Sequence, residues 1–311
     1  MAARPRTLPA AIAPVLVGSA AAWLAIEDAK WYVQSAVGEA ARAGFIDTGE
    51  DFRIGALIAA LIGSIFIQIG TNLANDYSDA KRGADDADRL GPVRVTSTGL
   101  IAPRRVLHAT WLAFAVAVAA GLYLAAVAGP EILAVGAASI VAGILYTGGP
   151  RPYGYAGMGE AFVFVFFGLV AVNGSYYVQV ERLDWLPFAL SLAVGLLATA
   201  ILVVNNLRDI DTDRRAGKRT LAVRIGRERT RQLYAVVVGG AFVALPLGLL
   251  LADGPGWAAI GLASAPLALA PLRAVATRTD GPSLNRALAA TGTLLAAFSV
   301  LVAAGLVIAA P

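Results

Sequence analysis

Long apolar stretches, broken by short polar turns, dominate the chain from end to end. Nine of them reach the roughly 17–25 residues that a membrane helix needs: 10–26, 54–75, 105–128, 131–148, 157–180, 185–206, 233–252, 255–276 and 285–309. Several contain Pro or Gly, which membrane helices tolerate. The pattern predicts an all-α polytopic membrane protein, one domain over residues 1–311, with nine transmembrane helices in a single bundle. The first segment has a basic start, "MAARPR", and then an apolar run. That is also the outline of a signal peptide. An uncleaved first helix suits a chain that is apolar throughout.

Composition agrees with this reading. Of 311 residues, 58% are hydrophobic and 15% charged, against about 25% charged in soluble domains. There is no Cys, which excludes disulfides and thiolate metal sites, and a single His, His108, which excludes a His-built centre. His108 falls near the start of the third apolar segment and reads as an interfacial residue.

Charge orients the bundle. With nine spans, 21 of the 25 Lys and Arg fall on the side of the N-terminus, and only Lys30, Arg42, Arg53 and Arg182 fall on the other. Lys and Arg concentrate in cytoplasmic loops. The N-terminus and the Asp-rich, basic loops are therefore expected in the cytoplasm, with the protein in the plasma membrane and no nucleic-acid partner. The opposite face has one long connection, 27–53, expected to lie as a surface helix on the bilayer.

Two polar motifs interrupt the hydrophobicity. "NDYSDAKRGADDAD" begins at Asn75 and ends the second apolar segment; "NNLRDIDTDRRAGKR" begins at Asn205 and ends the sixth. Each contains Asn-x-x-x-Asp (75–79 and 205–209), and a basic loop follows each. Asn205, Asp209 and Asp213 are spaced i, i+4, i+8, one face of a helix. Acids at a membrane helix are costly and usually functional. The bland alternative is a set of interfacial acids paired with neighbouring Arg, and a repeated spacing on one side of the membrane argues against it. Converging Asp76, Asp79, Asp209 and Asp213 would repel one another unless cations neutralised them. Oxygen ligands without His or Cys suit Mg²⁺, which commonly joins carboxylates to phosphate oxygens. Lys81, Arg82, Lys218 and Arg219 stand beside the motifs as further positive charge for a polyphosphate. A diphosphate at the mouth of an apolar bundle implies a lipid-like substrate such as an isoprenyl diphosphate.

These residues resemble the UbiA superfamily of intramembrane prenyltransferases. "NDYSD" matches that family's first motif at Asn75, Asp76 and Asp79, and "DIDTD" its second at Asp209 and Asp213. The last Asp of the first motif falls on Gly83, and Asp85 is the nearest acid to take its place. Four further stretches resemble the 1,4-dihydroxy-2-naphthoate polyprenyltransferases within that superfamily: "ARPRTLPAAIAPVLVG", "GPVRVTSTGL", "YTGGPRPYGYAGMGE" and "NNLRDIDTDRRAGKRTLAVRIG". The resemblance implies a nine-helix bundle and a Mg²⁺-dependent enzyme. It implies transfer of the chain of a polyprenyl diphosphate to 1,4-dihydroxy-2-naphthoate, with loss of diphosphate and CO2, in menaquinone synthesis. It implies Asp76, Asp79, Asp209 and Asp213 as the catalytic acids. With Asn75, Asp85 and Asn205 they make the set of metal ligands.

Lys81, Arg151 and Lys218 are the expected diphosphate contacts. Arg151 stands out as the only charge of a short loop. Arg82, Arg214 and Arg215 are assigned to topology alone. Arg6 either holds the acceptor's carboxylate or anchors the first helix at the headgroups. Glu160 either steers an acceptor hydroxyl or caps its helix, where an acid is favourable. Tyr146 and the Phe residues of "FVFVFFG" offer π-faces to an allylic cation, although aromatics there also pack against lipid or core. Two rivals fit less well. A CDP-alcohol phosphotransferase would carry its Asp residues in one contiguous run, and a metabolite transporter would carry ionisable groups near the bilayer midplane. Other aromatic acceptors, such as 4-hydroxybenzoate, stay open within the superfamily.

Overall fold

The computed structural model describes residues 7–37, 51–82, 96 and 100–311. All regular structure among them is helical. In chain order the helices are α1 (Leu8–Val37), α2 (Ile54–Lys81), α3 (Pro103–Ala128), α4 (Glu131–Leu145), α5 (Gly159–Val180), α6 (Trp185–Arg208), α7 (Ile210–Arg215) and α8 (Leu221–Leu251). A 3₁₀ segment, Gly256–Ser264, then leads into α9 (Pro266–Thr277), and α10 (Gly281–Ala309) closes the chain. Arg6, Asp85 and most of "GPVRVTSTGL" lie outside the described residues.

Among the described residues, seven helices are long and apolar enough to cross a membrane, and eight if the bent pair of the 3₁₀ segment and α9 counts as one span. The two departures from nine have physical causes. The fourth expected span ends early, because the backbone leaves the helix after Leu145 to form the turn that carries Tyr146 and Thr147. Its 15 residues rise about 22 Å, short of a hydrocarbon core of about 30 Å. The eighth is bent by 42° next to Pro266, which cannot donate the helical N–H. The expected surface helix over 27–53 also differs. Residues 27–37 continue α1 without a break, carrying exposed Trp31 and Tyr32.

α1 and α6 are the centre of the bundle: the apolar window of each is 72% buried, more than in any other span. α1 packs on α10, α5, α2 and α6, while α6 packs on α8, α10 and the middle of α5. That middle, Phe164–Val170, is a π-helical turn, a form that tends to mark functional sites. Here it lets two glycines meet. A Cβ at Gly168 would lie 2.7 Å from the Gly195 Cα, so any side chain would force α5 and α6 apart.

Packing brings the cytoplasmically predicted ends of α2 and α6 to one end of the bundle, where both Asp motifs sit. α6 does not end cleanly there. Asp209 forms a one-residue break, yet its N–H still bonds to the Asn205 carbonyl at 3.2 Å, and the Asp213 N–H bonds back to the Asp209 carbonyl at 2.8 Å. The helical register therefore survives into α7, and Asn205, Asp209 and Asp213 keep a common face.

Candidate active site

The two motifs open onto one cavity of about 520 Å³, within the usual range for ligand pockets. Along α2 its lining runs from Ala60 to Asp79, about 28 Å at 1.5 Å per residue. The far end is lined by small and apolar residues, among them Gly63, Gly121, Leu124 and Gly136. The near end is polar: Asn75, Asp79, Asn205, Asp209, Asp213 and Lys218 all line it.

Lys218 ties the motifs together. Its Nζ lies 3.4 Å from Asp79 Oδ2 and 3.8 Å from Asp213 Oδ1, and it is 8% exposed. A turn delivers it there. Gly217 adopts φ +72°, the left-handed conformation that glycine allows after a helix end, and the Lys218 N–H then bonds to the Asp213 carbonyl at 2.9 Å. Tyr155, from the loop before α5, completes this node. Its hydroxyl donates to Asp79 Oδ1, and its ring lies 4.8 Å from Lys218 Nζ. The Arg219 N–H bonds to the Tyr155 carbonyl at 3.0 Å, fastening one loop to the other.

The second acid has its own partner. Arg208 grips Asp209 with two bonds, Nε to Oδ1 at 2.8 Å and Nη2 to Oδ2 at 2.5 Å. The same guanidinium donates to Asn205 at 2.9 Å and to Asn285 of α10 at 2.7 Å. Asn75 accepts from Thr147 at 2.8 Å. Asp76 is 2% exposed on the same turn of α2 but does not line the cavity. Tyr146 lines it, and so do Tyr153 and Phe162, whose rings stack at 3.8 Å. Burial pushes the Tyr153 phenol well above its ordinary range, which keeps it a neutral donor to the Ala142 carbonyl at 2.9 Å.

Other expected residues fall elsewhere. Lys81 and Arg151 are exposed and outside the cavity lining. Arg82, assigned to topology alone, donates to the Gly149 carbonyl, and Arg215 lines the cavity. Glu160 is buried and accepts from Asn206 Nδ2 at 2.9 Å. Sequence reasoning passed over Tyr155, Arg208 and Asn206. For Arg208 a signal existed, since it is the one charge in α6.

A family profile described as the UbiA prenyltransferase family matches residues 36–296. The chain belongs to the UbiA prenyltransferase family. It is accordingly a prenyl-transferring enzyme. Among UbiA relatives, the 1,4-dihydroxy-2-naphthoate octaprenyltransferase of Mycobacterium tuberculosis is 46% identical over 305 residues, covering 98% of this chain and 94% of the relative. The Escherichia coli protein of the same name is 39% identical, covering 94% and 90%. The fold is that of the solved UbiA homologues. One from Aeropyrum pernix K1 aligns with a TM-score of 0.67 at 12% identity over 97% of each chain. One from Archaeoglobus fulgidus, described as bound to DMAPP and Mg²⁺, aligns with a TM-score of 0.57 at 14% identity over 96% and 97%.

The residues present are chemically suited to Mg²⁺. The donors are all oxygen, and the acids of the two motifs (Asp76, Asp79, Asp209 and Asp213) carry two more formal charges than the buried cations Lys218 and Arg208 that pair with the last three. A divalent ion offsets the remaining formal charge. Among the described residues no three acids stand close enough to hold one ion by themselves, so phosphate oxygens or water would complete its shell.

Proposed function

We propose that this protein transfers the chain of a polyprenyl diphosphate to 1,4-dihydroxy-2-naphthoate. Diphosphate and CO2 leave, and the product is demethylmenaquinol, the reduced form of demethylmenaquinone. One observation carries this reading: Lys218 bridges Asp79 and Asp213 at the polar mouth of a long apolar cavity. That arrangement suits a charged diphosphate head with a hydrocarbon tail. The acceptor follows from the names of the relatives.

Asp79, Asp209 and Asp213, with the amide oxygens of Asn75 and Asn205, are the residues to hold Mg²⁺; Asp76 stands behind them. Mg²⁺, when bound, stabilises charge growing on the leaving diphosphate. The protein's own groups do the rest. Lys218 presents its ammonium to the diphosphate, and Tyr155 holds it in line. Arg208 fixes Asp209 and anchors α6 to α10. The rings of Tyr146, Tyr153 and Phe162 wall the reacting carbon and keep water out. Arg6 is retained as a candidate for the acceptor's carboxylate and Asp85 as a further ligand.

With purified protein and labelled polyprenyl diphosphate, Mg²⁺ is expected to support turnover of 1,4-dihydroxy-2-naphthoate in preference to 4-hydroxybenzoate. Excess EDTA is expected to abolish it. Undiminished turnover in EDTA would remove the metal, and a preference for 4-hydroxybenzoate would change the acceptor.

We also propose nine spans as one domain in the plasma membrane, with the short α4 crossing at a thinned point, and the site facing the cytoplasm. The chain has no Cys, so single-cysteine reporters are clean. A cysteine at Ala216 is expected to resist an impermeant thiol reagent in intact cells, and one at Asp253 to react. The opposite pattern inverts the topology.

A further inference from the structure

The polar face of α2 does not stop at the Asp motif. Gln68, Asn72, Asn75 and Asp79 are spaced i, i+4, i+7, i+11, one face of a helix, and all four line the cavity. Asn72 and Gln68 stand three and seven residues before Asn75, about 4.5 and 10.5 Å deeper along the axis. Both are buried, Gln68 to 8% exposure. The wall that α3 contributes is different: Ala117, Gly121 and Leu124. The cavity therefore has a polar wall on α2 and an apolar wall on α3, which suits a site that seats both a ring and a hydrocarbon tail.

Thr7, just before α1, orients the two amides and lines the cavity beside them. Its Oγ1 accepts from Gln68 Nε2 at 3.0 Å and from Asn72 Nδ2 at 3.4 Å. Gln68 thus turns its NH2 group to Thr7, and its carbonyl oxygen is the atom left for the cavity. Among the described residues no donor reaches that Oε1, and it is not one of the sealed buried polar atoms. Fastening α1 to α2 accounts for the NH2 group but not for the oxygen. A buried amide oxygen without a donor is costly, so an occupant that brings an N–H or O–H is favoured there. The substrates narrow the choice. The hydrocarbon tail has no donor. An ionised diphosphate and the acceptor's carboxylate offer only acceptor oxygens. A ring hydroxyl is the donor that remains.

We infer that Gln68 Oε1 accepts a hydrogen bond from a ring hydroxyl of the aromatic acceptor, with Thr7 as the positioning residue that holds the amide. This rests on the aromatic acceptor proposed above and deepens it. The contact tells a hydroquinone, which carries O–H donors, from the oxidised quinone, which has none on its ring. The site thus takes the ring in the reduced, electron-rich form that attacks the allylic carbon.

The test uses the full-length protein in detergent, with each substrate varied separately and thermal melting alongside. Gln68→Leu removes the amide and keeps an apolar side chain in its place. It is expected to raise KM for 1,4-dihydroxy-2-naphthoate about 3- to 10-fold, the usual worth of a hydrogen bond between neutral groups. With kcat and KM for the polyprenyl diphosphate near wild type, the loss is one of uniform acceptor binding. Thr7→Val breaks the clasp but leaves the Gln68 oxygen, and is expected to raise the acceptor KM less. Acceptors with either hydroxyl replaced by methoxy supply an arm that compares substrates on one protein, whatever its stability. The wild type is expected to disfavour one of the two ethers about 3- to 10-fold against the parent acid. Thr7→Val is expected to keep that preference and Gln68→Leu to lose it. Wild-type acceptor kinetics in Gln68→Leu overturn the subsite, as does a loss shared by both substrates together with a lower Tm. Undiminished discrimination of the ethers by Gln68→Leu overturns it too, and so does a Thr7→Val protein that matches Gln68→Leu in KM and in discrimination. A wild type that prenylates no aromatic acid overturns the functional reading instead, so the two failures are distinct.

Discussion

Asp79→Asn is expected to lower kcat by about 10²–10³, the usual cost of removing one preorganised electrostatic group, with the fold retained. Asparagine keeps the size and still accepts from Tyr155. Lys218 keeps Asp213, 3.8 Å away, as a partner. Asp209→Asn is expected to lose as much activity and, unlike the first, to melt lower. Repulsion within an all-acid cluster would make either Asn stabilising. The structure overturns that expectation for Asp209, because this acid already has a buried cation as its partner. It is clamped by Arg208, which is 2% exposed. Removing one partner of a buried pair leaves the other charge uncompensated and typically costs about 3–5 kcal/mol, less here because Asn205 and Asn285 still accept from Arg208. The rate losses of the double variant are expected to be less than additive, since both acids serve one diphosphate. Turnover of singles and double, per folded molecule, with melting in detergent, checks all of this. Near-wild-type turnover in either single variant would remove that Asp from the site.

The parts of this site that were legible in the sequence are those fixed by helical period. Asn205, Asp209 and Asp213 recur every four residues, and the period holds through the break at Asp209 because its backbone bonds persist. Lys81 illustrates the same rule broken. It stands two residues after Asp79, about 200° round the helix, and is exposed outside the cavity. Nearness to Asp79 in sequence does not bring Lys81 into the cavity lining. Tyr155 and Asn206 were not legible for a different reason. Tyr155 reaches Asp79 across 76 residues and Asn206 reaches Glu160 across 46; only helix packing sets such pairs. The apolar segments were legible as helices. Whether each crosses a bilayer depended on Pro266 and on where α4 stops, which hydrophobicity alone does not mark.

Lys218→Met is expected to be at least as damaging as Asp79→Asn, and to reveal the metal. Met fills a similar volume without charge, so the packing over Tyr155 is largely kept. What is lost is a buried cation that reaches both motifs. Asp79 and Asp213 then lose the charge they share, and the protein is expected to melt lower than wild type without metal. Mg²⁺ is expected to restore more stability to this variant than to the wild type. An ion that binds the folded state stabilises by RT ln(1 + [L]/Kd), and it no longer competes with an ammonium for the same oxygens. Turnover does not follow the stability back, because the diphosphate has lost its own cation; a fall of about 10²–10³ is expected at saturating Mg²⁺. Lys218→Arg is expected to restore only part of it, since a planar fork does not fit the place of a compact ammonium. Melting curves against Mg²⁺ concentration, beside steady-state rates, test both halves. A Lys218→Met protein with wild-type kcat would confine Lys218 to a structural role, and equal Mg²⁺ stabilisation of variant and wild type would separate the lysine from the metal.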